Sequence, residues 1–241
     1  PHDSDVRAEL PRRHGPSRPC RKRKNDLEIG DKLSLFQSHN ALRLFEKFRK
    51  MEREGTLEST LSQPIYLEKD EIARFQYRIF KNYPVGKLTF TDQIAFAGSF
   101  LFEEDLNALV WEIADDTLTV AGHWAQKAVC DYGGRRWEAW FAEEMPFSDG
   151  PYRFCGLPGL IVRIADTEGH YCFEMLSAEI LSEYSPILWK RKDYIKTTKK
   201  DFFKASDNAR ANIIENVMEH SVPIDGNRNS QQKQLHQYQI S

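Results

Sequence analysis

The sequence predicts a mostly β protein of the α+β kind: a curved antiparallel sheet or half-barrel built from hairpins, with an N-terminal helix and a C-terminal helix packed on it. Three observations predict this class. Residues 66–175 are rich in aromatic and β-branched side chains and are interrupted by turn signals. Segments with an apolar residue at every third or fourth position, as in a helix, lie on both sides of this region. Many short strands followed by a helix do not fit a parallel sheet, in which strands and helices alternate.

Composition divides the chain of 241 residues into one domain and two tails. Residues 1–25 hold eight Lys or Arg against three acids, including the run RKRK, and almost no apolar residues, so we expect a disordered basic tail. Residues 26–222 form the predicted single domain, with helices near 41–54 and 198–218. Residues 223–241 are polar and rich in Gln and Asn, which predicts a second disordered tail.

The charge balance excludes some function classes for the chain as a whole. It has 34 Lys and Arg against 36 Asp and Glu, which predicts neither nucleic-acid binding nor a membrane-surface role. No uncharged apolar run reaches roughly 18 residues, so no transmembrane segment is expected. No signal peptide is visible at the N-terminus, and both a processed form and a cytoplasmic protein stay open.

The cysteine spacing matches no CxxC pair or zinc site; the four cysteines are Cys20, Cys130, Cys155 and Cys172. We expect them to be small core residues. A single bridge in an oxidising compartment is the alternative. No metal and no other cofactor is expected.

Two hairpins have a predicted register. If residues 131–134 form the first loop, Lys127 faces Glu138 as an opposite-charge pair. A second loop at residues 166–169 would pair Ile164 with Tyr171 and place a continuous apolar face on both strands. The first hairpin also has an apolar face, which consists of Trp124, Ala128, Trp137 and Phe141.

The other elements follow from local patterns. Residues 26–38 alternate well enough for one or two short strands, and residues 115–116 are predicted to form a turn. Thr198, three residues before Asp201, fits the N-cap of the last helix. The first helix is predicted by apolar residues three positions apart: Leu42, Phe45, Phe48 and Met51.

The segment GPYRFCGLPGLIVRI, which begins at Gly150, decides whether the chain looks like an enzyme. A phosphate-binding loop needs a following helix, usually with a Lys and a Ser or Thr, whereas this segment leads into a strand. The spacings GxGxxG and GxSxG are both missing. We therefore expect a structural corner in which Gly156 and Gly159 adopt backbone conformations that residues with a Cβ avoid, and Pro158 fixes its own φ. Leu157 would then be presented on this rigid corner.

Catalytic candidates near this loop are few. Cys155 would need activation by a neighbour such as His170 or Arg153, and Asp149 with Glu143 could form a pair of acids. Acids at strand ends usually face water, so we expect no catalytic set. Trp140 and Tyr152 are the better candidates for an exposed binding patch, and Arg153 is the third predicted ligand-binding residue.

The segment GPYRFCGLPGLIVRIADTEGHYCFE resembles the signature of the GLPGLI family, which is named after that hexapeptide. The similarity extends upstream through KNYPVGKLTFTD, VWEIADDTLTVAGHWAQKAVCDYGGRRWEAWFAEEMP and DLEIGDKLSLFQS, so it covers about residues 26–174. The basic tail departs from the pattern, because the family usually has a signal peptide and an aromatic strand there. The matching signature residues are Gly150, Pro151, Phe154, Gly156, Leu157, Pro158, Gly159, Leu160 and Ile161.

The resemblance implies a Bacteroidetes protein that is usually exported and often encoded near TonB-dependent outer-membrane receptors, with no established catalytic residues. We therefore expect a periplasmic or secreted protein that is not an enzyme, but a binding or accessory module acting with outer-membrane components. Its expected partner is an outer-membrane or periplasmic protein, or a peptide or lipid-like ligand, and no nucleic acid. The alternative is a peptidase-like envelope hydrolase with a site near Gly150–Gly159.

Overall fold

A computed structural model describes residues 6–9, 24–62, 75–181, 187 and 193–212. These residues form thirteen strands and three helices. The strands are β1 (Val6–Glu9), β2 (Asn25–Ile29), β3 (Ser34–Ser38), β4 (Arg78–Lys81), β5 (Lys87–Ile94), β6 (Gly98–Asp105), β7 (Glu112–Val120), β8 (His123–Tyr132), β9 (Arg135–Ala142), β10 (Leu160–Asp166), β11 (Cys172–Glu174), β12 (Ala178–Ile180) and β13 (Ile195–Lys196). The helices are α1 (His39–Arg53), α2 (Leu57–Leu61) and α3 (Lys199–Ala211).

The strands form two open sheets, and neither closes into a barrel. The first has eight strands, six of which lie side by side in the order β12-β1-β2-β3-β4-β5. The second has five, in the order β11-β10-β9-β8-β7. The predicted mostly β class with antiparallel hairpins and a C-terminal helix is confirmed. Turn signals predict which consecutive strands pair, but not where the chain moves to another sheet, so the division into two sheets was not predicted.

The chain divides into two compact units, residues 1–92 with 103–191 and residues 93–102 with 192–241. The predicted single domain and its two tails stay predictions. Strand β1 lies inside the segment predicted to be the first tail, while residues 10–23 and the whole second tail lie outside the described residues.

The core of the larger unit lies where side chains of the two sheets meet. The ring of Phe36, on β3, lies 6.0 Å from that of Phe173, on β11, in an edge-to-face contact. Such contacts add to the stabilisation that burial of apolar surface provides. The largest fully buried side chains of this unit are Leu27, Phe36, Ile79, Phe141, Phe154, Leu157, Leu160, Ile161, Ile164 and Phe173.

The hairpin of β8 and β9 turns more tightly than the sequence predicted. Its loop is residues 133–134 alone, and both glycines have positive φ, 61° and 73°, as a two-residue hairpin turn prefers. The predicted register is therefore wrong by two residues, and Lys127 lies opposite Trp140. Lys127 still lies 3.3 Å from the carboxylate of Glu138, now as a diagonal neighbour.

The register of the β10–β11 hairpin is shifted in the same direction. Arg163 lies opposite Glu174, and Ile164 lies opposite Phe173 rather than Tyr171, so the predicted register is again wrong by two residues. A shift by an even number leaves every side chain on its predicted face. Accordingly, the predicted apolar faces of both hairpins are buried except for two residues. Tyr171 is half-buried, and Trp124 is 54% exposed and lies beyond the part of β8 that pairs with β9.

The predicted turn at residues 115–116 is wrong, because these residues lie inside β7. The pairing of β7 with β8 shifts between Ile113 and Thr117, which marks a bulge that accommodates the extra residues. The turn falls instead at residues 121–122, both with positive φ.

Helix α1 corresponds to the helix predicted near residues 41–54. Ser38 caps it, since its hydroxyl oxygen accepts the Ala41 amide at 3.4 Å. None of its side chains is fully buried, and its apolar residues are half-buried on one side. The ring of Phe45 lies 5.3 Å from the Arg78 guanidinium of β4.

In the smaller unit, β13 runs parallel to β6 and leads into α3. Thr198 is the N-cap, as predicted, because its hydroxyl oxygen accepts the Asp201 amide at 3.1 Å. Phe202 is the one buried residue of the described helix. Its ring lies 5.5 Å from that of Phe102, so an aromatic contact holds the helix to the strand.

Candidate functional site

The glycine-rich segment lies in the loop between β9 and β10, and its glycines are needed for two different reasons. Gly156 has φ +96°, a conformation that side chains rarely adopt. Gly159 has an ordinary φ, but a Cβ there would lie 2.3 Å from the Ala142 carbonyl oxygen. Leu157, between them, is 1% exposed. Gly156 therefore has the unusual backbone angle that the sequence predicted, whereas Gly159 has an ordinary angle and allows close backbone approach.

A buried charge cluster lies under this loop. Lys81 and Ser34 are opposite one another on β4 and β3, and both side chains donate hydrogen bonds to the carboxylate of Asp149. The Gly150 amide donates to the same carboxylate at 2.6 Å. Lys81 also donates to the carbonyl oxygens of Gly150 and Phe154. The cluster therefore fastens the loop to the eight-stranded sheet.

Sequence reasoning missed Lys81 and Ser34. Lys81 is 2% exposed and Ser34 is 3% exposed, although neither residue type is usually buried. Ser34 and Asp149 are separated by 115 positions in the chain, so no local pattern connects them.

Arg153, a predicted ligand-binding residue, lies in the core with 5% exposure. Its guanidinium forms an ion pair with Glu104 and donates to the hydroxyl of Tyr132 at 3.0 Å. It also lies 5.6 Å from the ring of Phe90 and 5.5 Å from that of Tyr152. Burial lowers the pKa of Arg153 to about 10, and burial raises the pKa of Tyr132 to about 12.

Tyr152, another predicted ligand-binding residue, is half-buried and has φ +56°. Its ring stacks on that of Phe173 at 6.3 Å and meets the edge of Phe36 at 6.5 Å. Tyr152 and Arg153 therefore contribute to the core beneath the loop more than to an outer surface.

Trp140, the remaining predicted binding residue, lies on the outer side of the five-stranded sheet. It is half-buried and directly opposite Lys127 on one neighbouring strand and Arg163 on the other. The ammonium of Lys127 lies 5.9 Å from its ring, within the range of a cation–π contact. Glu138 and Glu174 pair with these cations at 3.3 and 3.5 Å. We call these five residues the Trp140 row.

The structure does not bring the predicted catalytic groups together. The Cys155 thiol contacts the carbonyl oxygens of Leu106 and Arg153, and burial raises its pKa, with opposing effects of Lys81 and Asp149. A thiol with a raised pKa is a poor nucleophile.

The other catalytic candidates are also separate. His170 contacts Arg135 and Glu168 at 2.8 and 2.9 Å, away from the loop. Glu143 is exposed, whereas Asp149 is buried in its cluster.

Three metal-ligating side chains do meet, at the β10–β11 loop. Asp166, Glu168 and His170 have ligand atoms within 4.8 Å of one another. The guanidinium of Arg135 donates to Asp166 and Glu168 at 2.6 and 2.9 Å, and it lies 2.8 Å from the Nδ1 atom of His170. Arg135 thus supplies the positive charge that this group of acceptors needs, and a metal ion would have to displace it.

No helix among the described residues has the length and apolar character needed to span a membrane.

Comparison with known proteins gives a limited match. Residues 133–163 match a family model described as "Protein of unknown function (Porph_ging)". This stretch contains β9, the glycine-rich loop and the start of β10. It does not include β8, the hairpin partner of β9. The GLPGLI resemblance stays a prediction, and no curated protein matches the chain.

The chain also resembles solved structures described as "Structure of PNGF-II in C2 space group" and "Structure of PNGF-II in P21 space group". The sequence identities are 10% and 9%, and the TM-scores are 0.61 and 0.59. Each match covers 86% of this chain but only 33% or 34% of the other, so the chain spans about a third of the structures that it matches. At this identity the likeness shows a shared fold alone.

Proposed function

We propose that this chain is a non-catalytic binding or accessory module of the cell envelope, periplasmic or secreted, which contacts an outer-membrane or periplasmic protein. The observation that carries the binding role is the position of Trp140 on the outer side of the five-stranded sheet, half-buried between Lys127 and Arg163. The envelope setting is supported only by the family resemblance of the sequence.

The composition of the Trp140 row favours a protein partner. Trp and Arg are enriched among the residues that dominate the binding energy of protein interfaces, and Trp140 and Arg163 are cross-strand neighbours. A small ligand would prefer an enclosed pocket, whereas this surface is one side of a sheet. Peptide and lipid-like ligands are the remaining alternatives.

The charges around Trp140 would serve specificity more than affinity. Lys127 with Glu138 and Arg163 with Glu174 form pairs whose side chains are 22% to 47% exposed. Exposed pairs contribute little to stability, so these side chains can leave their present ion pairs and pair with charged groups of a bound protein. Opposite charges in fixed positions then select a partner with the complementary arrangement.

The alternative of an envelope hydrolase near Gly150–Gly159 has less support. The carboxylate of Asp149 accepts hydrogen bonds from Lys81 and Ser34, and burial raises the pKa of the Cys155 thiol. Neither group is presented to a substrate, and we therefore favour binding over catalysis.

A retention experiment tests the proposal. The purified chain is immobilised and exposed to detergent-solubilised envelope extract of the organism that encodes it, as wild type, Trp140→Ala and Trp124→Ala. Trp124 is the matched control, because it is a more exposed tryptophan on the opposite side of the same sheet. We expect one envelope protein to be retained by wild type and Trp124→Ala and lost from Trp140→Ala.

Two results would count against the proposal. Retention of the same protein by Trp140→Ala would show that the interface does not depend on Trp140. If wild type retained no protein specifically, the binding role would be contradicted. Circular dichroism of each variant ensures that a loss reflects the surface and not unfolding.

A further inference from the structure

The side chains at the β10–β11 loop surround a single position for a cation. The guanidinium Nη1 atom of Arg135 lies 2.6 Å from the carboxylate of Asp166 and 2.9 Å from that of Glu168. It also lies 2.8 Å from Nδ1 of His170. A guanidinium has donors only, so this last contact is a hydrogen bond only if Nδ1 is the acceptor. The imidazole then directs a lone pair to the same position as the two carboxylates, which is the form of histidine that binds metal ions.

The three acceptor atoms are spaced like ligands of one metal ion. Nδ1 of His170 lies 2.9 Å from the Glu168 carboxylate and 3.7 Å from that of Asp166, and the three atoms all lie within 4.8 Å of one another. Two ligands at about 2.1 Å from a zinc ion are separated by roughly 3.0–3.4 Å. Glu168 and His170 are 61% and 42% exposed, so their side chains can make the small movements that would complete the coordination.

The backbone holds the innermost ligand in place. The side chain of Asp166 is fully buried, and the carboxylate oxygen that faces away from Arg135 accepts the Tyr171 amide at 2.6 Å. The turn that carries the other two ligands is closed by a hydrogen bond from the Gly169 amide to the Asp166 carbonyl oxygen at 2.9 Å. Hydrogen bonds that orient a ligand raise the affinity of a site for its metal. The ligand set is therefore arranged before any ion binds.

Arg135 leaves this group of side chains with a negative charge. Its one positive charge faces two carboxylates and an imidazole that is neutral when Nδ1 accepts, so the four side chains sum to −1. Arg135 is 30% exposed, and its guanidinium carbon lies 5.1 Å from the centre of the Tyr171 ring. The guanidinium can therefore turn toward water and keep this cation–π contact. A divalent ion in its place would neutralise both carboxylates.

We propose that this loop binds a Zn²⁺ ion through Asp166, Glu168 and His170. The ion takes the place of the Arg135 guanidinium. One imidazole with two carboxylates suits zinc, whereas magnesium and calcium prefer oxygen ligands alone. Three protein ligands leave a fourth coordination position for water or for a group of a bound molecule. The site shares no residue with the Trp140 row, so the proposal does not depend on the binding role of that row.

Calorimetry of the untagged protein with zinc chloride tests the proposal. We expect wild type to bind Zn²⁺ more tightly than Mg²⁺ or Ca²⁺. His170→Ala removes a ligand and should weaken zinc binding roughly tenfold or more. The matched control is His123→Ala, because His123 is also a half-buried histidine beside a carboxylate, that of Glu144. It should bind zinc like wild type.

A variant of Arg135 separates ion binding from a purely structural role of the cluster. Arg135→Ala lacks the competing cation, so it should bind Zn²⁺ roughly tenfold more tightly than wild type. Without zinc it should unfold at a lower temperature than wild type, because Asp166 stays buried without its cation. Saturating zinc should raise the thermal midpoint of this variant by more than it raises that of wild type.

Three results would overturn the proposal. Wild type could fail to bind zinc, or His170→Ala could bind it as tightly as wild type does. Weaker zinc binding by Arg135→Ala would show that the guanidinium orders the ligands and does not stand in the position of the ion. Circular dichroism of the zinc-free proteins checks that His170→Ala is folded, and its affinity decides the site even if Arg135→Ala does not fold.

Discussion

At the scale of single residues, the conformation of the glycine-rich loop requires two positions without a Cβ atom. Gly159 lets the chain pass against the backbone of Ala142, while Gly156 adopts an angle that a side chain disfavours. The first requirement is steric and involves backbone atoms that cannot move aside. The second is a conformational preference of moderate size.

The two glycines should therefore respond differently to the same change. Gly156→Ala is expected to lower the free energy of unfolding by about 1–2 kcal/mol, the cost of a left-handed conformation. Gly159→Ala should cost more than Gly156→Ala, since its Cβ would overlap a carbonyl oxygen. Urea denaturation measures both. If Gly159→Ala proved the milder change, the close approach at this position would be contradicted.

The buried cluster under the loop gives a second prediction. Lys81→Met leaves Asp149 buried without its cation and should destabilise the protein by about 3–5 kcal/mol. The control is Lys87→Met, because Lys87 pairs with Asp105 at the surface and its loss should leave the denaturation midpoint nearly unchanged. Equal effects of the two substitutions would contradict a buried, structural ion pair.

The thiols give a third prediction. Burial raises the pKa of Cys130 to about 12 and also raises the pKa of Cys155, so both stay protonated at pH 8 and react slowly with iodoacetamide. In a Cys20→Ser variant, we expect native labelling at half-buried Cys172 alone, and labelling at all three after unfolding. Rapid labelling of Cys155 in the folded protein would contradict its low reactivity and make it a candidate nucleophile again.

At the scale of elements, both hairpins were predicted with the correct faces and the wrong registers. Alternation of apolar residues specifies which side of a strand faces the core, and it is unchanged by a shift of two residues. The loop length that sets the register depends on turn geometry. In the first hairpin the sequence DYGG allows a four-residue loop, but two glycines with positive φ close it in two.

The β8–β9 turn is therefore expected to tolerate some sequences and reject others. Asn-Gly in place of residues 133–134 should preserve stability, since both residues accept positive φ. Ala-Ala should lower the free energy of unfolding by about 1–2 kcal/mol per residue. A stable Ala-Ala variant would indicate the longer loop and the register that the sequence first predicted.

At the scale of the whole molecule, the sequence predicted the fold class better than it predicted long-range contacts. Strand-rich composition indicated a mostly β fold, and Trp140 was selected as a surface residue because alternation places it opposite the core face. Arg153 was selected from its place in the glycine-rich loop, yet its guanidinium lies in the core with Glu104. Contacts between residues so far apart in sequence leave no periodic signal, and the same holds for Ser34 with Asp149.

The central claim is that a protein partner docks on the Trp140 row. It is tested most directly by placing a photo-crosslinking residue at position 138, beside Trp140, and in a separate protein at position 124, on the other side of the sheet. We expect a covalent adduct with one envelope protein from position 138, lost when Trp140→Ala is added, and none from position 124. An adduct from position 138 that persists with Trp140→Ala, or equal adducts from both positions, would contradict it.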